Sequence, residues 1–355
     1  MVPGMVHTER AMARDSGGRS LRLLQVAAIV ALAASFLVVE YADASPTHPA
    51  TPARAGGHTY YVATGGSDGA AGSSAHPFRT IQRGLNRAHA GDKVIVRPGT
   101  YGPARFVRSG AKGRPIVLRG VGLVKIRGGG SGFGIMVWDV AHVVVSGFNI
   151  TGYDAGVSVS RARSSVVSHN NLFSNDRAGV EITDSSYIRI TRNQLRDPGS
   201  GGSVVQDYGV DTYSNDYITN HIMIDHNLFQ GLSDQALSFK HKTTNSSAIG
   251  NRFEGCLYTC LYVGQQDDGD DRPDETSLHI QVRGNRFRAY RNPQTHEFYK
   301  CRTPIAVRNV RYAVVVNNFF DPSCEQRIDH VFSPNHGGVA PGANRFRHNI
   351  VKRWS

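Results

Sequence analysis

A short phrase recurs along this chain, an Asn followed by apolar residues at the end of a β-like run. It stands at Asn149-Ile150, Asn171-Leu172-Phe173, Asn193-Gln194-Leu195, Asn227-Leu228-Phe229, Asn251-Arg252-Phe253, Asn285-Arg286-Phe287, Asn318-Phe319-Phe320 and Asn344-Arg345-Phe346. The first three copies lie 22 residues apart, and later intervals run from 24 to 34. A period in the low twenties with insertions marks a solenoid in which each repeat is one coil. Asn suits the bend between strands because it tolerates left-handed backbone angles, and stacked copies can hydrogen-bond along the axis. The expected fold is all-β, with the Phe or Leu after each Asn pointing into the stack.

The N-terminus reads differently. Arg19 and Arg22 precede an apolar run over residues 23–39, and Ala42-Asp43-Ala44 follows as a small-residue cleavage site. Residues 1–44 are therefore expected to be a secretory signal peptide or, uncleaved, a membrane anchor. Residues 45–57, rich in Pro, Ala, Thr and Gly, read as a linker, and residues 58–355 as the folded domain. The expected location is secreted or extracellular, with anchorage at the outer face as the alternative. Four cysteines, Cys256, Cys260, Cys301 and Cys324, lie in the last third of the chain. In an oxidising compartment they predict two disulfides pinning the later coils, with three pairings open.

The chain carries a net charge of +12. The leader holds four basic and four acidic residues, so its removal leaves that excess intact. A basic exported protein points to a polyanion. The Arg residues are dispersed and no nucleic-acid module is present, which leaves an acidic polysaccharide as the expected partner of a monomeric protein.

Strands that follow the Asn phrase can be aligned by their alternation. Gly156-Val157-Ser158-Val159-Ser160, Gly179-Val180-Glu181-Ile182-Thr183, Gly209-Val210-Asp211-Thr212-Tyr213 and Ala236-Leu237-Ser238-Phe239-Lys240 come first. Cys260-Leu261-Tyr262-Val263-Gly264 and Pro304-Ile305-Ala306-Val307-Arg308 follow. The second and fourth positions should point inward, the third and fifth to solvent. On that alignment Glu181 and Asp211 are adjacent carboxylates, with Tyr213 beside Asp211 and Lys240 one coil beyond. Two carboxylates so placed call for a cation, so Glu181, Asp211 and the flanking Asp207 are candidate calcium ligands. The acidic run Asp267-Asp268-Gly269-Asp270-Asp271 reads as a solvated turn or a second calcium site. Arg177, Lys242, Tyr262 and Arg308 are candidate substrate contacts. His226, just before an Asn turn, reads as a hydrogen-bonded structural residue.

The entry to the solenoid carries a recognisable phrase. Residues 80–90 place Ile81, Leu85 and Ala88 at helical spacing, and Ala90-Gly91-Asp92-Lys93-Val94-Ile95-Val96-Arg97-Pro98-Gly99-Thr100-Tyr101 follows. This stretch resembles the capping segment of right-handed parallel β-helix proteins of the pectate-lyase-like superfamily. The resemblance implies a right-handed parallel β-helix with a short N-terminal capping helix. Further on, Ser238-Phe239-Lys240, Asn245 and Asn251-Arg252-Phe253-Glu254-Gly255-Cys256 resemble a segment of polysaccharide lyase family six, the alginate lyase and chondroitinase B group. That resemblance implies β-elimination on a uronate-containing polysaccharide with Lys240 as the base. The family's acid Arg has no counterpart in Tyr262-Val263-Gly264-Gln265, so the acid role falls to Tyr213, Tyr262 or His241. Elimination needs a base for the proton at C5 and a cation for the neighbouring carboxylate, which calcium could supply. Glycoside hydrolysis by paired carboxylates, epimerisation, and glycan binding without catalysis are the alternatives.

Overall fold

The computed structural model describes residues 57–196, 205–207, 218–232, 235–240, 242–264, 279–293, 296, 298–308, 310, 312–325, 328–331 and 344–351. The expected leader and nearly all of the linker lie outside these residues, as does the apolar run over residues 23–39. No helix among the described residues is long and apolar enough to cross a membrane.

The described chain is wound as a right-handed parallel β-helix. One sheet of eleven strands begins at Thr59–Val62 and Lys93–Val96 and ends at Val314–Val316 and Arg345–Arg347, each strand pairing in parallel with its counterpart one coil away. A second, larger sheet supplies the other two faces. One face stacks Val124–Arg127, Asn149–Thr151, Asn171–Phe173 and Gln194–Arg196. The other stacks Phe133–Trp138, Ala155–Ser160, Ala178–Thr183, Val205–Asp207 and Leu237–Phe239. Strand Arg252–Gly264 runs through both faces, pairing with Leu228–Leu232 along its first part and with Leu237–Phe239 along its last.

Alternation of side chains fills the interior with columns of Val, Ile and Leu, because inward positions on parallel coils fall one above another. Phe229, Phe253, Phe287 and Phe320 stack with ring centroids 4.7, 4.7 and 5.4 Å apart, which places the Phe of the recurrent phrase inside as expected. Two disulfides, Cys256–Cys260 and Cys301–Cys324, pin the later coils.

The Asn ladder differs in detail from the expected one. Its buried members are Asn170, Asn193, Asn227, Asn251, Asn285 and Asn318, continuing to Asn349. In each step one Oδ1 accepts both the backbone N–H and the Nδ2 of the Asn one coil before. Asn193 N and Nδ2 thus donate to Asn227 Oδ1 at 2.9 and 3.1 Å. The Nδ2 also donates to a carbonyl of the previous coil, as from Asn227 to Ile190 O at 2.9 Å. Asn149 and Asn171 stand one residue off this ladder, on the sheet face; Asn171 Nδ2 donates to Asn149 Oδ1 (2.9 Å), Arg196 donates to Asn171 Oδ1, and Asn149 Nδ2 makes a long bond to Val124 O (3.5 Å). Asn344 belongs to a different corner, where its Oδ1 accepts from Ala313 N. The left-handed backbone angle is carried by the residue before each ladder Asn, namely His169, Arg192, His226, Gly250, Gly284 and Asn317. The Asn itself is selected by its two-ended amide, which satisfies buried backbone groups on both neighbouring coils.

A helix at Ile81–Arg87 caps the first coil, inside the expected span. Thr80 opens it, its hydroxyl accepting from Arg83 N, while Asp68 accepts from the Arg79 and Thr80 amides and the Thr80 hydroxyl. Gly84 permits the close approach: a Cβ there would lie 2.7 Å from Val94 Cγ1.

Asn227→Ala should destabilise the protein by at least about 3 kcal/mol, since it orphans buried donors on Asn193 and buried carbonyls at once. Asn149→Ala should cost well under about 1 kcal/mol. Urea unfolding of the two variants checks the ladder; equal losses would contradict it.

Candidate functional site

The candidate face is that of Phe133–Trp138, Ala155–Ser160, Ala178–Thr183 and Leu237–Phe239. The column at the register of Glu181 runs Arg105, Met136, Ser158, Glu181, Gln206, Ser238, Tyr262 and Ala306. Ser158 pairs with Glu181 as the alternation predicts. The next partner is a correction, because Glu181 lies opposite Gln206 of Val205–Asp207 and not opposite Asp211. Coil closure explains the choice. The residue at the register of Val180 comes ten residues after its ladder Asn in three coils (Asn170 to Val180, Asn227 to Leu237, Asn251 to Leu261). Val205 follows Asn193 by twelve residues, whereas Val210 would follow it by seventeen, so the earlier Val-x-Asp closes the coil with less excess chain. Asp207 takes the register of Ile182 and Phe239. Asp211, Tyr213 and His241 lie outside the described residues, as do the Asp207 side chain and the acidic run at 267–271.

Glu181 is only 7% exposed and is clasped by Arg177, with Nη1 and Nη2 donating to its two oxygens at 2.9 and 2.6 Å. Burial pushes the Glu181 carboxyl above the usual carboxylate range; Arg177 opposes this and the Asp154 carboxylate adds to it. With both oxygens engaged, Glu181 does not fit a calcium ligand, and no group of three or more His, Cys, Asp or Glu among the described residues forms a metal site. Arg177 is thus a partner of Glu181, and its guanidinium also lies 6.0 Å from the Phe133 ring. Beside this pair the Trp138 indole donates to Ser158 Oγ at 2.9 Å, and Arg105 sits over the Trp138 ring at 5.4 Å. The sequence reading missed Trp138 and Arg105, although Phe133–Trp138 alternates like the strands after it.

Lys240 lies two coils beyond Glu181, about 10 Å along the axis at the spacing of parallel strands, and Tyr262 one coil further. Lys240 ends its strand only 7% exposed, with Nζ 5.9 Å from the centre of the Tyr262 ring, itself 5% exposed. The expectation that this column faces open solvent is corrected: Ser158, Glu181, Ser238, Tyr262 and Ala306 are all buried. Arg308 lies at the same strand-end position two coils on, paired with Gly264, where a Cβ would meet the Arg308 carbonyl oxygen at 1.6 Å. Lys242 is buried at the corner after Lys240, with a left-handed backbone. The fold thus gathers Lys240, Tyr262 and Arg308 into one stretch and sets Arg177 and Glu181 apart from it.

A separate cluster lies on the eleven-stranded sheet. Asp225, 2% exposed, accepts two bonds from Arg189 at 2.9 and 2.8 Å, one from Thr191 and one from His226 Nδ1. His226 is therefore the hydrogen-bonded structural residue expected. Burial pushes the Asp225 carboxyl up, but Arg189, His226 and Thr191 together hold it below its ordinary value. A lowered folded-state pKa gives stability that is present above the unfolded value, about 3.9, and lost as pH falls through the folded one. Asp225→Asn should lower the melting temperature at neutral pH and flatten its decline between about pH 5 and pH 2. Thermal unfolding across that range checks it; an unchanged acid slope would contradict it.

Residues 124–253 match the family model described as a right handed beta helix region. A curated relative, "Pectate lyase PEL9" of Emericella nidulans, is 26% identical over 198 residues, covering 54% of this chain and 39% of the relative. The chain therefore spans well under half of that relative's length. Among solved structures, the alginate lyase of Paenibacillus sp. str. FPU-7 superposes with a TM-score of 0.55 at 16% identity, over 77% of this chain and 96% of the lyase. The GH136 lacto-N-biosidase of Eubacterium ramulus gives a TM-score of 0.59 at 12% identity, over 83% of this chain and 64% of the enzyme. The class is thereby plain: this is a right-handed parallel β-helix protein. Its fold is shared by polysaccharide lyases and glycoside hydrolases alike.

Proposed function

We propose that this protein cleaves a uronate-containing polysaccharide by β-elimination, with Lys240 as the base. The carrying observation is the placement of Lys240 at the end of its strand, withdrawn from water and set over the Tyr262 ring. A lysine accepts a proton only in its neutral form, so the base role requires Lys240 to be neutral when the uronate is bound. In the proposed step Lys240 Nζ takes the C5 proton of a uronate, and the C5–H electron pair becomes the C4–C5 double bond. The C4–O bond breaks, and the departing oxygen takes a proton from Tyr262, with Tyr213 and His241 as the other candidate acids. Arg308 and Lys242, near the same strand ends, supply positive charge for the substrate carboxylate, whose negative charge grows in the transition state. The net charge of +12 fits an acidic glycan as substrate.

Elimination is favoured over hydrolysis because both oxygens of Glu181 are held by Arg177 and its cross-strand partner is Gln206, an arrangement that suits an ion pair better than a general acid or base. Calcium belongs to this proposal only through Asp207 and Asp211, which would hold it and add Lewis-acid neutralisation of the uronate. The similarity to a pectate lyase and to an alginate lyase supports a uronate, and the expected extracellular location supports a polymeric one.

The test is ultraviolet absorbance of the conjugated unsaturated product on a panel of uronate polymers. Lys240→Ala should lower turnover by about 100-fold or more while leaving binding nearly intact, because a base acts chiefly in the transition state. Wild-type turnover in that variant would end the assignment. Chelation should abolish activity if calcium serves, and full activity in chelator would remove calcium from the scheme.

A further inference from the structure

Near the disulfides, the two walls of one groove lie on neighbouring strands of this sheet. Tyr258, Thr259, Arg302, Thr303 and Glu325 line a cavity of about 440 Å³. Tyr258 is 58% exposed and presents its ring to solvent. Thr259 and Thr303 are cross-strand partners on Arg252–Gly264 and Cys301–Arg308. Glu325 lies 3.7 Å from Arg302 Nε and 3.1 Å from Lys300 Nζ, all three about half exposed.

Both walls are covalently braced. Cys256–Cys260 closes the short loop that carries Tyr258 and Thr259. Cys301–Cys324 ties together the segments bearing Arg302 and Glu325, and Glu325 N donates to the Cys301 carbonyl at 2.9 Å. Lys300 O in turn accepts from Cys256 N, joining the two braces. All four cysteines are buried in the core, so the bridges fix from beneath the segments that carry the groove residues. Groups fixed before a ligand arrives lose less entropy on binding it.

We propose that this groove is a binding subsite for a pyranose residue of the glycan, separate from the Lys240 site. The exposed Tyr258 ring offers an apolar face with a polar tip, the form of side chain that suits a sugar ring. Arg302 and Glu325, oriented by their ion pair, set a donor beside an acceptor for vicinal hydroxyls, and two cations against one carboxylate leave the groove net positive for a uronate. Tyr258 and Tyr262 are four residues apart on one strand, at most about 13 Å at the full rise of a β-strand and less where the chain doubles back at the Cys256–Cys260 bridge. A short oligosaccharide could therefore reach both. The inference rests on a glycan being the ligand, not on Lys240 being the base.

Calorimetric titration of the full chain with galacturonate and alginate oligomers, from disaccharide to octasaccharide, tests it. The Lys240→Ala background prevents turnover if the wild type proves to be a lyase; otherwise the wild type itself is used. Tyr258→Ala and Arg302→Gln should each weaken the longest bound oligomer about tenfold or more, near 1.4 kcal/mol, and leave the melting temperature unchanged. Shortening the oligomer should erase the difference. Unchanged affinity in both variants, or no oligomer bound by the unmutated groove, overturns the subsite, whereas absent elimination alone overturns only the reading of Lys240.

Discussion

Everything in this molecule is registered by the hydrogen bonds between ladder asparagines. Each Asn closes a corner for its own coil and for both neighbours, so its side chain couples three turns of chain at a buried position. A parallel solenoid has little else to fix its register: apolar columns tolerate slips by two residues, but a buried amide misplaced by one strands its partners without bonds. Coil lengths can then vary from 23 to 34 residues, because the excess chain leaves the stack between corners and returns to the same rung.

That freedom in coil length decides which side chains share a face. Between Asn193 and Asn227 the chain inserts extra residues, and the strand it uses to complete the turn is Val205–Asp207. Glu181 consequently meets Gln206, and its charge is answered from its own strand approach by Arg177 four residues earlier. The outward column is packed, with Arg177 on Phe133, Arg105 on Trp138 and Lys240 on Tyr262 repeating one device on separate coils: a cation laid against an aromatic ring. Such packing orients each cation against an apolar face; Arg105 and Arg177 stay partly exposed, and Lys240 alone is buried.

The later coils add rigidity of another kind. Strand Arg252–Gly264 runs across two faces, with a register irregularity between Cys256 and Thr259 where the first disulfide closes. Gly255 takes a left-handed angle there, and a Cβ would lie 2.4 Å from Tyr299 Cβ, so the antiparallel pair Tyr290–Arg291 and Phe298–Tyr299 packs directly on the backbone. Covalent bridges at this irregular point hold an arrangement that strand pairing alone would leave loose.

The sequence by itself determined the architecture. A recurrent Asn, alternating Val and Ile, the cap helix at Ile81–Arg87 and the clustered cysteines are local or periodic signals, and each carries its physical meaning wherever the chain goes. Even so, Asn171 stands one residue off the ladder beside Asn170, which looks the same in sequence, and Asn149 follows Phe148, the residue that takes the ladder position in its coil. The site was legible only in pieces: Lys240 and Tyr262 fall on neighbouring coils as their alternation implied, while the residue opposite Glu181 is Gln206. The physical reason is that strand membership inside a long coil depends on where the turn closes against the previous one, a three-dimensional condition to which Val205 and Val210 answer equally well on paper. Burial of the outward column, the clasp of Arg177 on Glu181 and the groove at Tyr258 are likewise properties of contacts between coils, and only the tertiary structure decided them.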